Sequence, residues 1–225
     1  ATQPPTVPAQ PQTAASPLPA LPEPLKAPVR PPRPGAPGEN CARLGEPAYT
    51  ETYCVSSVLP SQGGRNYGPA NLFSADKASA WVEGAQGDGR GEWIAIEFDA
   101  IRLVKGITIN NGLFRNNETY WSNARVKHIK VQFSQGETLD LNILDQPADQ
   151  TFVLKRPAQA YWLRFQIDDV YPGKRYPDLA IGKLRIASEP VPNQQKTEAV
   201  SAALGQPSSW LQGRWAAVGT QCADP

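Results

Sequence analysis

Short stretches in which apolar and polar residues alternate recur between residues 48 and 187, and they limit what this chain can fold into. The period of two is typical of half-buried β-strands. The runs are WIAIEF (93–98), RLVKGITI (102–109), VKHIKVQF (126–133), ETLDLNI (137–143), QTFVL (150–154), YWLRFQI (161–167) and LAIGKLRI (179–186). Turn sequences such as SQGE, DQPAD and YPGKRYPD separate them, and no window of helical length competes. The pattern predicts an all-β domain, most simply an antiparallel sandwich.

The segments on either side of this domain have a different composition. More than half of the 24 prolines precede residue 41, and residues 1–40 contain no aromatic side chain. Such a segment buries too little apolar surface to offset the entropy of ordering, so we expect 1–40 to be a disordered, Pro-rich spacer. We place the β-domain at 41–187 and a linker at 188–206. Two tryptophans within 207–225 favour the start of a further domain; the alternative is a tail that docks on the sandwich or on another subunit.

Charge and composition narrow the choice of partners. The net charge is +1, which gives no reason to expect nucleic acid or an anionic membrane as the main partner. No apolar run is long enough for a membrane-spanning segment. The chain has no methionine and opens on Ala-Thr-Gln, as a mature chain does after a signal peptide is removed. These features favour an exported protein.

The chain contains three cysteines, at positions 41, 54 and 222. Cys41 closes the spacer and Cys54 lies near the start of the patterned region. In an exported protein this favours a Cys41–Cys54 disulfide that pins the spacer to the edge of the domain. The alternative is that both thiols are free. Cys222 is left without a partner within the chain.

The stretch WVEGAQGDGRGEW (81–93) is the most glycine-rich part of the domain. A strand rather than a helix follows it, and it lacks a Lys-Ser or Lys-Thr pair, which excludes a phosphate-binding loop. The ligand spacing of an EF-hand is absent as well. We interpret the stretch as a tight connection at one end of the sandwich, anchored by Trp81 and Trp93 and using glycines at positive φ.

Residues 53–186 contain an ordered set of motifs that resembles a known family. YCVSSVLPSQGGRNYGPANLFSADKASAWVEGAQGDGRGEWIAIEF is followed by INNG, NARVKHIKVQFSQGE and DVYPGKRYPDLAIGKLRI. Together they resemble the discoidin-like (coagulation factor 5/8 type C) domain of the NADase-type glycan-binding family, named for the translocation domain of a streptococcal NAD glycohydrolase. The resemblance implies a galactose-binding-like jelly-roll β-sandwich that binds glycans without catalysis. The hydrolase of that toxin is a separate domain, which nothing in this chain resembles.

Many discoidin-like domains hold a structural calcium ion, and the resemblance identifies where its ligands would stand. The loop NLFSADKASAW has Ser74 and Ala75 where such domains carry Asp and Gly, and AIGKL places Lys183 where a glutamate is usual. Calcium takes six to eight oxygen ligands. We therefore expect no calcium, with the Lys183 ammonium in its place, and we expect no other cofactor.

Three polar, aromatic loops supply candidate glycan ligands, because sugars stack on aromatic rings and bond to carboxylates, amides and guanidinium groups. The predicted glycan-binding residues are Glu83, Asn111, Tyr120, Trp121, Arg125, Tyr171, Tyr176 and Asp178. Each has a structural alternative. Glu83 could instead hold the glycine loop in shape, Asn111 could be a turn residue before Gly112, and Tyr171 and Tyr176 could cover one end of the sandwich.

Three classes of function compete. The first is a non-catalytic module that targets a bacterial secreted, periplasmic or cell-surface protein to a glycan or glycoconjugate. The second is an enzyme; His128 is the only histidine and no nucleophile motif accompanies it, while a carboxylate pair for glycoside hydrolysis stays open if two of Glu83, Asp88, Asp169 and Asp178 converge. The third is a domain that binds an envelope protein or a lipid, for which Leu113 and Phe114 are the only apolar tip. We predict the first class and keep the third as the alternative.

Overall fold

The computed structural model describes residues 33, 35, 40–46 and 49–191. Most of the predicted spacer, the predicted linker beyond residue 191, the segment 207–225 and Cys222 lie outside these residues. The first strand begins at Asn40 and the last ends at Pro190, beyond the predicted end of the domain at residue 187. Within this part of the chain, no helix has the length and apolar character needed to cross a membrane.

Strands dominate the described part of the chain, which confirms the prediction of an all-β fold. The strands are β1 (Asn40–Glu46), β2 (Tyr49–Val55), β3 (Trp81–Val82), β4 (Trp93–Asn111), β5 (Ala124–Phe133), β6 (Thr138–Asn142), β7 (Asp149–Tyr171) and β8 (Leu179–Pro190). A short α-helix, α1 (Asn117–Ser122), and a 3₁₀ turn at Pro69–Leu72 interrupt them. The sequence pattern predicts neither helical element.

Two strands are longer than the sequence pattern predicts. Antiparallel pairing between β4 and β7 continues across register shifts that follow Glu97 and Val104. A shift of this kind bends a strand without ending it, so a break in the alternation does not mark a turn. The predicted runs therefore merge in pairs: 93–98 and 102–109 into β4, and 150–154 and 161–167 into β7.

The bent strands allow one continuous sheet to fold into a two-layered sandwich. The first half of β4 lies between β2 and the second half of β7, with β5 and then β6 beyond. The second half of β4 lies between β8 and the first half of β7. The start of β5 pairs in parallel with the start of β8 and brings the layers together.

The core lies between the two layers and is apolar. Side chains that alternate along β4, including Ile94, Ile96 and Phe98, meet Phe165 of β7 and Leu184 of β8 there, and all five are fully buried. Burial of such side chains is the main stabilising contribution, at roughly 1.5–3 kcal/mol each. Trp81 belongs to the same core, and Trp93 is buried in a smaller cluster beside it.

The disulfide joins the first two strands. Cys41 lies directly opposite Cys54 in the antiparallel pairing of β1 with β2, with Cα atoms 4.1 Å apart and the two sulfurs bonded. This confirms the predicted Cys41–Cys54 bridge. The cross-link holds an edge strand to the sandwich and restricts the unfolded chain, the usual source of disulfide stabilisation.

Candidate functional site

An open cavity of about 310 Å³ lies at the end of the sandwich beside α1. We call it the α1 cavity. Its wall is formed by the connection between β2 and β3, the end of β3 at Val82, the segment 113–123 that contains α1, and the loop 172–178 between β7 and β8. Its lining residues are Leu59, Gln62, Tyr67, Val82, Leu113, Arg115, Glu118, Thr119, Ser122, Asn123, Arg175, Tyr176 and Asp178.

A capping box fixes the start of α1, the element that forms one wall of the cavity. The Asn116 side chain accepts a hydrogen bond from the Thr119 amide at 2.8 Å, and the Thr119 hydroxyl accepts one from the Asn116 amide at 3.1 Å. This reciprocal arrangement satisfies two amides that a helix start leaves unpaired. The sequence NNET carries the signal, with threonine where glutamate or glutamine is more usual.

The loop 172–178 is fastened to the end of α1 by its backbone. The amides of Lys174 and Tyr176 donate to the carbonyls of Trp121 and Ser122 at 2.9 and 2.8 Å. The close approach requires glycine at position 173, because a Cβ atom there would stand 2.5 Å from the Ser122 carbonyl oxygen. The loop therefore delivers its side chains to the cavity in a defined geometry.

Two of the predicted glycan ligands, Tyr176 and Asp178, line the α1 cavity. Tyr176 is 42% exposed, and the Arg175 guanidinium lies 5.1 Å from the centroid of its ring. Trp121 does not line the cavity, but it adjoins Ser122, which does, and its side chain is exposed. The Lys174 ammonium lies 5.7 Å from the Trp121 ring. Cations at these distances are attracted to aromatic faces and restrict the rings they contact.

Two other predicted ligands, Tyr120 and Arg125, are buried beneath the loops. Arg125 forms a bidentate pair with Asp145 at 3.0 and 2.8 Å and also donates to the carbonyls of Asn123 and Pro172 at 2.7 and 3.0 Å. The Tyr120 hydroxyl donates to the same Asp145 carboxylate at 3.0 Å. Burial, and then Asp145, raise the pKa of Tyr120. These contacts join α1, β5 and the 172–178 loop, so both side chains support the cavity from below and leave no surface for a sugar.

Asn111 and Tyr171 are likewise occupied within the protein. Both polar atoms of the fully buried Asn111 amide bond to the backbone of Val126, at 2.8 and 2.9 Å, as a neighbouring strand would. The Tyr171 hydroxyl donates to the Ile143 carbonyl at 3.1 Å. Neither residue lines the α1 cavity. Asn111 is thus more than a turn residue, and its placement does not support contact with a ligand.

Glu83 takes the second of the two roles that the sequence leaves open for it. Its fully buried carboxylate accepts hydrogen bonds from the amides of Ala85 and Leu179 at 2.7 and 3.2 Å. Burial raises the pKa of this carboxyl, while the two amides lower it. Further along the loop, Gly89 has φ +86° and lies against Leu179, where a Cβ atom does not fit. The carboxylate and the glycine shape the loop 83–92 from within.

The sequence prediction did not include several residues of the α1 cavity. Arg115, Glu118 and Tyr67 all line it, and the Arg115 guanidinium lies 5.9 Å from the Tyr67 ring and donates to the Ala78 carbonyl at 3.3 Å. Arg115 and Glu118 belong to the segment 113–123, whereas Tyr67 lies in the connection between β2 and β3. Polar residues in loops are common, so only the fold shows which of them converge.

The residues near the expected calcium loop do not fit a calcium ion. The Lys183 ammonium donates to the Asp76 carbonyl at 2.7 Å, which places a positive charge against the backbone of this loop. Ala75 supplies no side-chain oxygen. A hard divalent cation needs several oxygen ligands and no competing cation. Calcium-independence remains a prediction.

One other group of side chains could contact a metal ion among the described residues. His128 of β5 has its Nδ1 3.3 Å from Asp168 and its Nε2 3.5 Å from Asp140. Both carboxylates are exposed, and the three residues lie on the sheet surface formed by β5, β6 and β7. The contacts are those of a histidine between two surface acids, so they give no separate indication of an ion.

The fold and the cavity define a class: a β-sandwich module whose loops form an open, polar cavity at one end. A family model described as the NAD glycohydrolase translocation F5/8 type C domain matches residues 46–187. The chain belongs to this family, which confirms the predicted discoidin-like fold. A search of curated proteins finds no match.

Solved structures of similar fold include two carbohydrate-binding modules from Clostridium perfringens. The family 32 module of NanJ, in complex with galactose, is 12% identical with a TM-score of 0.47, over 62% of this chain and 93% of that chain. The module CpGH89CBM32-5, in complex with GalNAc-β-1,3-galactose, is 10% identical with a TM-score of 0.48, over 60% and 94%. The arabinofuranosyltransferase AftD from Mycobacteria is 18% identical with a TM-score of 0.46, over 72% of this chain and 13% of its own.

Proposed function

We propose that this domain is a non-catalytic glycan-binding module of an exported bacterial protein, and that the α1 cavity is its binding site. The observation that carries the proposal is the exposed Tyr176 ring at the wall of a cavity rich in hydrogen-bonding groups. The module would bring the protein to a cell-surface or envelope glycan.

The aromatic surface has the properties that sugar stacking needs. A sugar ring presents an apolar C–H face, which an accessible aromatic ring can cover. Tyr176 is exposed, and the loop that carries it is bonded to α1 through the Ser122 carbonyl. Trp121 offers a second exposed ring next to the cavity. A ring held in place before binding loses little conformational entropy when a ligand arrives.

The polar lining matches the hydroxyl groups of a sugar. Arg115 and Arg175 supply donors, Glu118 and Asp178 supply acceptors, and Asn123 supplies both. The two positive and two negative side chains balance, so the cavity favours a ligand that both donates and accepts hydrogen bonds rather than one with a large net charge. Neutral saccharides have this character.

Membership of the F5/8 type C family and the disulfide support the wider proposal. The family model is that of a translocation domain. Cross-strand disulfides persist in oxidising compartments, which supports a secreted, periplasmic or cell-surface location. Catalysis is not part of the proposed role.

A glycan array probed with the full chain tests the proposal. We expect the wild-type chain to bind one group of related glycans. The variants Tyr176→Ala and Asp178→Asn should each bind these glycans at least tenfold more weakly, with a melting temperature equal to that of the wild type. Val153→Ala is the matched control, because Val153 is the most exposed large apolar residue of the described part of the chain and does not line the α1 cavity. Absence of binding to every glycan, with capture of an envelope protein instead, would overturn the proposal in favour of a protein-interaction domain.

The structure gives little support to the lipid-binding alternative. Leu113 is buried, and Phe114 is half-buried with its ring 6.4 Å from that of Tyr120 in an edge-on arrangement. The apolar tip that the sequence suggests is therefore packed against the protein. Binding of lipid vesicles that survives Tyr176→Ala would reinstate this alternative.

A further inference from the structure

A second cavity, of about 280 Å³, lies on the other side of the loop that follows β4. Phe114 lines it, whereas its neighbours Leu113 and Arg115 line the α1 cavity. We call it the Lys183 cavity, because Lys183 is the one buried charged residue in its wall.

The Lys183 ammonium has hydrogen-bonding capacity to spare. The side chain is only 5% exposed, and its Nζ donates to the Asp76 carbonyl at 2.7 Å. An ammonium carries three donors, so two remain for a group inside the cavity. Burial lowers the pKa of Lys183, while Asp76 raises it and Arg185 lowers it. A buried cation gains most from a partner of opposite charge, because little water is present to replace one.

Two further cations converge on the same space. Lys183 and Arg185 are separated by one residue of β8, so their side chains leave the same face of the strand, and both line the cavity with Lys77. The single acid in the wall, Asp149, already accepts a hydrogen bond from the Asn110 amide at 2.9 Å. Three positive charges therefore face one carboxylate, in contrast to the balanced charges of the α1 cavity.

We propose that the Lys183 cavity binds an anionic group, a carboxylate or a sulfate, carried by an acidic saccharide. That the anionic group belongs to a saccharide rests on the proposed glycan-binding function. That the ligand is negatively charged rests on the three cations of the cavity. Lys183 would bond to the anion at the base of the cavity, with Arg185 and Lys77 contacting it from the rim. The half-buried Phe114 ring would cover the apolar part of the sugar.

Calorimetric titration of the full chain with two probes tests the inference: a heparin-derived tetrasaccharide for sulfate and a polygalacturonate tetrasaccharide for carboxylate. We expect at least one to bind, and binding to weaken at least tenfold in the Lys77→Ser/Arg185→Ser double variant and to fall steeply with salt. Both substituted residues are exposed, so the variant retains the fold. Lys183→Met removes the buried ammonium and is expected to abolish binding; Lys130→Met, at an exposed position of β5, is the matched control.

The outcomes separate this inference from the proposed function. If the acidic probes bind equally well to the wild type and the double variant, the proposal that the Lys183 cavity binds the anion is wrong, and the proposed glycan-binding function is unaffected. The same holds if Lys130→Met loses as much affinity as Lys183→Met. A different result would be that inorganic sulfate shifts the Lys183 amide resonance in the wild type but not in the double variant, while no saccharide binds at any site. That result would show that the anion is not carried by a glycan, and it would overturn the proposed function as well. Preference for one probe identifies the anion as sulfate or carboxylate.

Discussion

The buried and the exposed residues around α1 have different roles, even where they are neighbours in the sequence, as Tyr120 and Trp121 are. Tyr120, Arg125 and Asp145 form a bonded group beneath the loops, which we call the frame. Trp121 and Tyr176 are exposed above it. Some of the aromatic and polar residues in such a loop therefore hold the loop in place and do not face solvent. We therefore expect two classes of substitution: those that destabilise the fold around the site, and those that weaken ligand binding without loss of stability.

Breaking the frame should have the largest effect. Arg125→Met removes both bonds to Asp145 and leaves a carboxylate without its cation, together with two carbonyls without a donor. We expect a loss of about 3–5 kcal/mol in the free energy of unfolding, measured by denaturant titration. Lys130→Met, at an exposed position of the same strand, is the control. A loss below 1 kcal/mol in Arg125→Met would show that the frame does not hold the loops.

Removing the disulfide should cost somewhat less and leave the site intact. Cys41→Ala/Cys54→Ala opens a link between residues 13 positions apart. For a loop of this length we expect a loss of about 2–4 kcal/mol in the free energy of unfolding, with glycan affinity unchanged. The comparison of denaturant midpoint with affinity checks this. If the double variant bound the glycan more weakly under conditions where it is fully folded, the disulfide at β1 would influence the binding site, contrary to our account.

Asn111 tests whether a buried amide, rather than a ligand contact, explains a predicted site residue. Asn111→Leu keeps much of the side-chain volume but leaves the N–H and C=O groups of Val126 unpaired. We expect a loss of about 1–3 kcal/mol in stability. Asn142→Leu, at an exposed position of β6, should change stability by less than about 0.5 kcal/mol. Equal effects at the two positions would contradict the assignment.

Tyr176 should show the opposite behaviour from the frame. Because its side chain is exposed, Tyr176→Ala should change stability by less than about 0.5 kcal/mol. Affinity for the glycan should fall at least tenfold, which corresponds to about 1.4 kcal/mol. Fluorescence or calorimetric titration measures the affinity, with Val153→Ala as control. If the Tyr176→Ala variant unfolds, Tyr176 has a structural role like that of the frame residues, and the assignment as a ligand contact is wrong.

Chelation should have no measurable effect. Because Lys183 occupies the space at the Asp76 carbonyl, we expect the same melting temperature with EGTA and with added calcium. A melting temperature that falls in EGTA and recovers with calcium would contradict the ammonium assignment.

The sequence predicts the strands well because their signal is local. Ile94, Ile96 and Phe98 alternate along the chain and are buried together in the core. The disulfide was predictable for a similar reason, since Cys41 and Cys54 lie close in sequence and fall opposite each other in neighbouring strands. Strand lengths were harder, because the bends in β4 interrupt the alternation without ending the pairing.

The site was less predictable because it depends on contacts between distant segments. Nothing in NNETYWSNAR distinguishes the buried Tyr120 from the exposed Trp121 beside it. The carboxylate that pairs with the buried Arg125 belongs to Asp145, 20 positions further along the chain. Arg115 and Tyr67 meet only through the fold. Composition therefore indicates which loops carry a site, and tertiary contacts decide which residues face a ligand.

The most direct test of the account is a structure of the chain with an array-positive glycan bound. We expect a sugar ring against the face of Tyr176, with its hydroxyl groups bonded to Asp178 and Arg115 in the α1 cavity. A glycan bound on another face of the sandwich, with the α1 cavity unoccupied, would contradict the central claim.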